Sequence, residues 1–231
     1  GVLGNTFDEA EDALRRDGVM ISVKRLRTIS MKFSRAALEL RRQRAELMAP
    51  DEAGTPSLRG KRIAVTIDGG RIRTRQAKRR KGFYTDWKEP KLFSIYEIGG
   101  DGRKEGKDLI ACDGTIDGPD GLNRLLAAEL VARRAAEAES IAIIADGAPW
   151  IRNSIDELIR MAGLDAGKVT RILDFYHAAE HLKAISEILY GSQAKQTQMF
   201  NKMRGMLKHR APKVFMAELA ARTGRSGNRI L

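Results

Sequence analysis

Three short apolar segments each end on an aspartate, and this is the feature that most restricts the fold of the chain. The segments are residues 63–67 before Asp68, 141–145 before Asp146 and 169–173 before Asp174. Their length and apolar patterning are typical of β-strands. Strands that neighbour one another in a sheet bring their terminal side chains to one edge, where open α/β sheets usually bind ligands. We therefore expect the three acids at a common edge.

The order of the predicted elements indicates the fold class. A strand at 62–68 leads into a hairpin of strands at 92–98 and 109–112, which a glycine-rich turn connects. Alternating helices and strands follow, and such an alternation implies right-handed crossovers and parallel strands. They are a helix at 121–138, a strand at 141–145, a helix at 155–162 behind the capping box Ser154 to Glu157, and a strand at 169–173. The prediction is an α/β, ribonuclease H-like mixed five-stranded sheet with flanking helices.

Helical segments lie on both sides of this predicted domain, which we place at residues 61–182. Residues 1–49 contain a capping box from Thr6 to Glu9 and a second, strongly basic helix after Ser22. This module is either a DNA-binding helix-turn-helix or a dimerisation hairpin, and the pattern leaves both open. Residues 50–60 are predicted to be a linker. Residues 183–231 are predicted to be a helical insertion, in which a methionine stripe including Met199 and Met203 forms core.

The charge of the chain favours a polyanionic partner. Its 42 Lys and Arg against 30 Asp and Glu give a net charge of +12, which suits nucleic acid or an acidic membrane surface. No run of 18 apolar residues exists and the first residues do not resemble a signal peptide, so we expect a cytoplasmic, nucleoid-associated protein with no membrane partner. The one cysteine, Cys112, excludes a multi-cysteine zinc cage and is predicted to be buried filler.

Clustered carboxylates suggest metal chemistry. Such a cluster is costly unless a cation neutralises it. Oxygen ligands without thiolates favour Mg²⁺ or Mn²⁺, and two ions about 3.5–4 Å apart can support phosphoryl transfer. Taken singly, however, Asp68 before Gly69 and Asp146 before Gly147 also fit ordinary turns, because Asp-Gly is a common turn pair.

Four sequence motifs, in order, resemble those of bacterial insertion-sequence transposases related to Mutator-type elements. The motifs are residues 68–75 (DGGRIRTR), 86–91 (DWKEPK), 146–151 (DGAPWI) and 174–182 (DFYHAAEHL). The resemblance implies a DDE transposase with Asp68 as first acid, Asp146 as second acid, and Asp174 to His177 as the Asp-x-x-His element that supports the active site. It also implies double-stranded DNA, both transposon ends and target, as partner. A homodimer or larger assembly is expected as well.

The third acid of such an enzyme, a Glu, is not identified by any motif. Glu187 and Glu218 lie in predicted helices but match no family pattern. One interpretation places the third ligand past Leu231, in which case this polypeptide is catalytically incomplete.

Basic residues directly after Asp68 are predicted to contact DNA phosphates with a salt-dependent affinity. They are Arg71, Arg73, Arg75, Lys78, Arg79, Arg80 and Lys81. Phe83, Tyr84 and Trp87 follow and either stack on unpaired bases or cover the sheet edge. Trp150 either packs over the second acid or contacts DNA.

Two alternatives stay open. The first is a non-catalytic DNA-binding protein derived from a transposase, which the unidentified Glu allows. The second is a zinc metallopeptidase, because His177, Glu180 and His181 fit the H-x-x-E-H pattern, in which a helix places both imidazoles on one face.

Overall fold

The computed structural model describes residues 6–50, 56–78 and 81–224. Its strands are β1 (Arg62–Gly69), β2 (Ile72–Ala77), β3 (Phe83–Lys88), β4 (Lys91–Glu97), β5 (Ala111–Thr115), β6 (Ser140–Ala145) and β7 (Val169–Leu173). Its helices are α1 (Phe7–Arg16), α2 (Val23–Leu47), α3 (Gly118–Ala132), α4 (Pro149–Met161), α5 (Phe175–Leu189), α6 (Gln193–His209) and α7 (Pro212–Gly224). No helix among these residues has both the length and the apolarity needed to cross a bilayer.

Five strands form one mixed sheet in the order β5-β4-β1-β6-β7. The β5-β4 and β4-β1 pairs are antiparallel, whereas β1-β6 and β6-β7 are parallel. Three antiparallel strands thus lead into two parallel ones, with helices alongside. The predicted ribonuclease H-like arrangement is confirmed.

One face of this sheet makes the core. Alternate residues of the strands, such as Ile63, Val65 and Ile143, are almost completely buried and pack with the apolar sides of α3 and α4. Leu126 and Leu158 supply the helix side of the same cluster and are also fully buried. Because strand residues alternate between faces, Thr66 and Ser94 lie on the opposite face, where their hydroxyl groups hydrogen-bond to each other.

The N-terminal helices are connected to the sheet domain through α2. The Thr6 to Glu9 capping box is present, and Ser22 caps α2 as predicted. Helix α2 packs against α3. In addition, Arg41 forms an ion pair of 3.1 Å with Asp113 and donates a hydrogen bond of 2.7 Å to the Gly114 carbonyl oxygen. These contacts fix α2 beside the edge strand β5.

The C-terminal helices have a small core of their own. Met199 and Met203 are buried there with Leu182 and Phe215, which confirms the methionine stripe as core. The predicted boundary between residues 182 and 183 lies inside α5. The sheet domain and the helical region are therefore joined by one continuous helix.

Several local predictions were wrong. Helix α4 begins at Pro149 rather than near residue 155, because proline is well suited to a first helical position. Ser154 is therefore inside the helix, and its hydroxyl donates to the Trp150 carbonyl oxygen instead of forming a capping box.

Cys112 is exposed rather than buried, because it lies on edge strand β5 and pairs with Ser94, on the face away from the core helices. The strand expected at 109–112 runs from 111 to 115.

The segment predicted only as a basic insertion is a β-ribbon. Strands β2 and β3 pair antiparallel with each other in a separate two-stranded sheet. The ribbon was missed because its alternating arginines and aromatic residues do not form the apolar and polar alternation of a half-buried strand.

Candidate active site at the carboxyl edge of the sheet

The three predicted acids lie around one cleft. Asp68 is the penultimate residue of β1, Asp146 directly follows β6 and Asp174 directly follows β7. Because these strands are parallel neighbours, their carboxyl ends meet at the same edge of the sheet. The cleft has a volume of about 370 Å³ and is also lined by His177. The structure therefore brings together all four residues that were assigned to catalysis.

Asp146 is held by a tight turn. One carboxylate oxygen, Oδ1, accepts a hydrogen bond of 2.8 Å from the backbone N–H of Ala148. Gly147 between them has a φ of +82°, a conformation that only glycine adopts without strain. Within the described residues, the other oxygen of Asp146 has no hydrogen-bond partner. The turn role and a ligand role are thus compatible, because each uses a different oxygen.

Asp68 is more exposed than Asp146. Its Oδ1 accepts a hydrogen bond of 2.7 Å from the backbone N–H of Gly69. The residue pairs with Leu92 of β4, so the two antiparallel strands fix the position of its backbone. Asp68 and Asp146 therefore present carboxylate oxygens from two adjacent strand ends into one cleft.

Asp174 connects the sheet edge to helix α5. Its backbone N–H donates a hydrogen bond of 2.7 Å to the Ala145 carbonyl oxygen, which extends the pairing of β6 with β7. Its Oδ1 accepts a hydrogen bond of 2.8 Å from the Tyr176 N–H and so caps the helix. The cap sets the first turn of α5 and with it the position of His177. This explains the Asp-x-x-His spacing in structural terms.

His177 lies beside a second histidine. Its Nε2 is 3.2 Å from Nε2 of His181, and the two rings meet edge to face with centroids 4.8 Å apart. Glu180 is mostly exposed, with Oε2 at 3.8 Å from Nδ1 of His177. In the part of the chain that the structure describes, no three His, Cys, Asp or Glu side chains are arranged to hold one metal ion.

Neither candidate for the third acid reaches the cleft. Glu187 is an exposed residue near the end of α5. Glu218 lies in α7, where Arg222 at 2.6 Å and Lys202 at 3.2 Å hold it. The hydrogen bond from Arg222, followed by that from Lys202, lowers the pKa of Glu218. By contrast, Glu180 does line the cleft, and sequence reasoning had considered it only as part of a zinc pattern.

A buried cation next to Asp68 was also missed. The Lys91 side chain is only 8% exposed, and its Nζ is 3.1 Å from Oε2 of Glu89. The same Nζ lies 4.5 Å from the centre of the Trp150 ring, a cation–π contact. Lys91 pairs with Gly69, and the side chains of Lys91 and Trp150 both lie close to this glycine. Trp150 is thus half-buried against Lys91, and a DNA contact by its ring stays a prediction.

Tyr96 is affected by the same group of acids. Burial raises the pKa of its phenol, and the negative charge of Asp174 raises it further. The Tyr96 hydroxyl therefore stays neutral at physiological pH, because its ordinary pKa of about 10 is already far above that range. No motif had indicated this residue.

Of the residues predicted to contact DNA, most of those that the structure describes lie on or beside the β2–β3 ribbon, whereas Trp150 lies in α4. Arg73 and Arg75 are in β2, Arg71 precedes it, and Lys78 and Lys81 flank the turn. Trp87 is in β3 and is half-exposed. Arg79 and Arg80 lie outside the described residues. The described basic residues among them and Trp87 therefore belong to one structural element, whose first strand begins four residues after Asp68.

The turn at Gly147 permits a stability prediction. Gly147→Ala should lower the free energy of unfolding by about 1–2 kcal/mol, because alanine is strained at positive φ. Its Cβ would also lie 2.7 Å from Cδ1 of Leu173. The matched control is Gly205→Ala inside α6, where nothing lies within 4 Å of the new Cβ. This change should instead stabilise by about 0.5–1 kcal/mol. Urea denaturation measures both, and changes of the same sign would contradict the described turn.

Comparison with known proteins does not assign a family. No family model matches the chain, and no curated protein matches it. A solved structure titled "Drosophila P element transposase strand transfer complex" matches with 13% sequence identity and a TM-score of 0.29. The match covers 82% of this chain and 45% of that chain. A likeness of this size is too weak to carry a functional assignment, which must rest on the site itself.

Proposed function

We propose that the protein is a DDE-type DNA transposase, in which Asp68 and Asp146 hold Mg²⁺ or Mn²⁺ for cleavage and strand transfer of transposon ends. The observation that carries the proposal is the meeting of these two carboxylates at the ends of adjacent parallel strands. The four motifs described above are the second support, since Asp68 and Asp146 each begin one of them.

The side chains around the cleft fit a hard divalent cation. Asp68 and Asp146 supply carboxylate oxygens, the ligand type that Mg²⁺ and Mn²⁺ prefer, and no thiolate lines the cleft. When bound, two such ions would supply Lewis acidity for an in-line displacement at phosphorus. Asp68 and Asp146 hold them, whereas Asp174 caps α5 and thereby positions His177. Asp174 and His177 are supporting residues in this proposal.

The proposed reaction has two steps. In the first, a water oxygen attacks a phosphorus atom at the transposon end, and the bond from phosphorus to the 3′ oxygen breaks to leave a free 3′ hydroxyl. In the second, that 3′ hydroxyl attacks a phosphodiester of target DNA and displaces another 3′ oxygen. The DNA partner is consistent with the net charge of +12. We propose a homodimer or larger assembly, because joining two ends to one target needs two active sites.

A cleavage assay tests the proposal. The protein is incubated with labelled duplex DNA carrying the element's ends, with Mg²⁺, with Mn²⁺ or with EDTA. We expect nicked and joined products with either cation and none with EDTA. Duplex of the same length without the ends is the DNA control. Absence of any cation-dependent product from the full-length protein would contradict the proposed catalytic activity.

A non-catalytic, transposase-derived DNA-binding protein is the second candidate. It is favoured by a specific observation: in the described residues no third carboxylate completes a metal site with Asp68 and Asp146. Salt-dependent duplex binding without cation-dependent nicking would support it.

The zinc metallopeptidase remains a minor candidate, because the Nε2 atoms of His177 and His181 are 3.2 Å apart. It predicts stoichiometric zinc in the purified protein and its loss in His177→Ala. Elemental analysis of the wild type and this variant measures both. Zinc below about one tenth of an equivalent per chain would exclude it, since a structural or catalytic zinc site retains its ion.

A further inference from the structure

The β2–β3 ribbon is a direct continuation of the strands that carry the candidate site. Gly69 pairs with Lys91 at the end of the β1–β4 ladder, and the Gly70 N–H donates a hydrogen bond of 2.9 Å to the Pro90 carbonyl oxygen. Pro90 has no N–H, so the ladder is interrupted there. The chain then re-pairs as β2 and β3, whose six residues each extend for about 20 Å at the usual rise per residue.

The register divides the ribbon into two faces of different chemistry. Arg73 pairs with Trp87 and Arg75 with Thr85, so these side chains lie on one face. The guanidinium group of Arg71 lies 5.1 Å from the Trp87 ring centre, and that of Arg75 lies 5.7 Å from the Phe83 ring centre. Arg71 and Phe83 therefore lie on the same face as Arg75 and Trp87. We call this the arginine face; its members are Arg71, Arg73, Arg75, Phe83, Thr85 and Trp87.

The opposite face is nearly neutral. Thr74 pairs with Asp86 there, and Gln76 pairs with Tyr84. Its one lysine, Lys88, forms an ion pair of 3.0 Å with Asp86. Within the paired residues of β2 and β3, positive charge is therefore concentrated on one side.

The three arginines differ from several arginines of the sheet domain in that they form no ion pair with an acidic side chain of the described residues. Arg62 pairs with Glu139 at 2.7 Å and Arg133 pairs with Glu129 at 2.6 Å. No such ion pair involves Arg71, Arg73 or Arg75 within residues 6–50, 56–78 and 81–224. Three exposed guanidinium groups, in β2 and directly before it and without acidic partners in the described part of the chain, form a surface that attracts an extended polyanion.

Aromatic rings lie beside two of these arginines, with Trp87 next to Arg71 and Phe83 next to Arg75. A guanidinium group that lies over a ring uses its flat face, and its N–H groups in the plane stay free for two parallel hydrogen bonds to a phosphate. Trp87 and Phe83 therefore need not stack on bases to be functional. They also do not cover the five-stranded sheet, because they belong to the separate ribbon and are 52% and 61% exposed.

We propose that the arginine face binds the phosphate backbone of double-stranded DNA, with Trp87 and Phe83 orienting the arginines instead of stacking on unpaired bases. A two-stranded ribbon has the dimensions to follow a duplex, whose major groove admits such an element. The proposal deepens the proposed function, since it rests on DNA as the partner, and it assigns the contact to one face. The ribbon leaves the sheet directly after Asp68, so the bound duplex lies beside the candidate site.

The test is duplex binding measured by fluorescence anisotropy over a range of KCl concentrations. The full-length protein is used in EDTA, with an end-labelled duplex of about two and a half helical turns. The triple variant Arg71→Ala, Arg73→Ala, Arg75→Ala should bind less tightly and show a salt slope that is smaller by about 2–3, because each lost phosphate contact removes about 0.9. The variant Arg71→Lys, Arg73→Lys, Arg75→Lys should keep most of the slope while losing affinity.

The matched control removes three charges elsewhere. Arg59, Arg103 and Arg160 are 71%, 88% and 74% exposed and lie outside the ribbon. Their triple alanine variant should change the slope by less than about 1. Equal losses in both triple variants would show a merely diffuse charge effect and overturn the proposal, as would an unchanged slope in the ribbon variant.

A second measurement separates orientation from base stacking. Trp87→Leu should weaken duplex binding. The loss of affinity for single-stranded DNA should be no larger than the loss for duplex. A larger loss with single-stranded DNA than with duplex would assign Trp87 to unpaired bases and overturn its orienting role. Because all these measurements are made without a divalent cation, a protein that binds through this face but never cleaves would contradict the proposed catalysis and leave the binding face supported.

Discussion

Replacing Asp68 or Asp146 with Asn is expected to lower the rate of cation-dependent DNA nicking by about 10³-fold or more. An amide keeps the size of the carboxylate but loses its charge, so the divalent cation is held less tightly. Metal ions contribute several kcal/mol of charge stabilisation in phosphoryl transfer, and 1.36 kcal/mol corresponds to a factor of ten in rate. The measurement is the single-turnover rate of nicking at saturating Mg²⁺ and again with Mn²⁺.

Two controls make this result specific. Duplex binding in EDTA should be unchanged in both variants, since neither acid belongs to the arginine face. Asp165→Asn serves as a matched substitution outside the cleft, because Asp165 accepts a hydrogen bond from the Gly167 N–H and asparagine can replace it in that role. If either cleft variant nicks DNA at the wild-type rate, the replaced residue is not a ligand of the catalytic metal ions.

Leu126→Ala is expected to lower the free energy of unfolding by about 2–5 kcal/mol, since it leaves a cavity between α3 and the sheet. Leu126 is fully buried in the main core cluster, beside the strands whose ends carry Asp68 and Asp146. Thermal and urea denaturation measure the change. The cation-dependent nicking rate per folded molecule should change little, because the substitution lies in the core and not in the cleft.

The control for this prediction is Leu40→Ala in α2. Leu40 is 59% exposed, so the same chemical change should alter the free energy of unfolding by less than about 0.5 kcal/mol. Similar losses for Leu126 and Leu40 would mean that the core does not lie between α3 and the sheet as described.

The fold could be predicted from sequence where local patterns and connection order agree. The segments before Asp68, Asp146 and Asp174 have clear strand patterns, and their order permits few topologies because crossovers between parallel strands are right-handed. The Asp-x-x-His spacing likewise follows from local chemistry, since an aspartate caps a helix and the fourth residue lies on its first turn.

Local patterns failed where another local signal or a tertiary contact competes with them. Ser154 and Glu157 have the spacing of a capping box, yet Pro149 starts the helix earlier and places Ser154 in its interior. Cys112 follows apolar residues, but its exposure depends on which strand forms the edge of the sheet and which face the helices cover. Periodicity contains neither piece of information.

By itself, the sequence determined that Asp68, Asp146 and Asp174 end strands and that a basic segment follows Asp68. These properties depend on hydrophobic alternation and chain order, which are local. Only the tertiary structure decided that Lys91 is buried against Trp150, that Glu180 but not Glu187 or Glu218 reaches the cleft, and that three arginines share one ribbon face. These depend on strand register and on packing between residues far apart in the chain, where a shift of one residue would reverse every side chain.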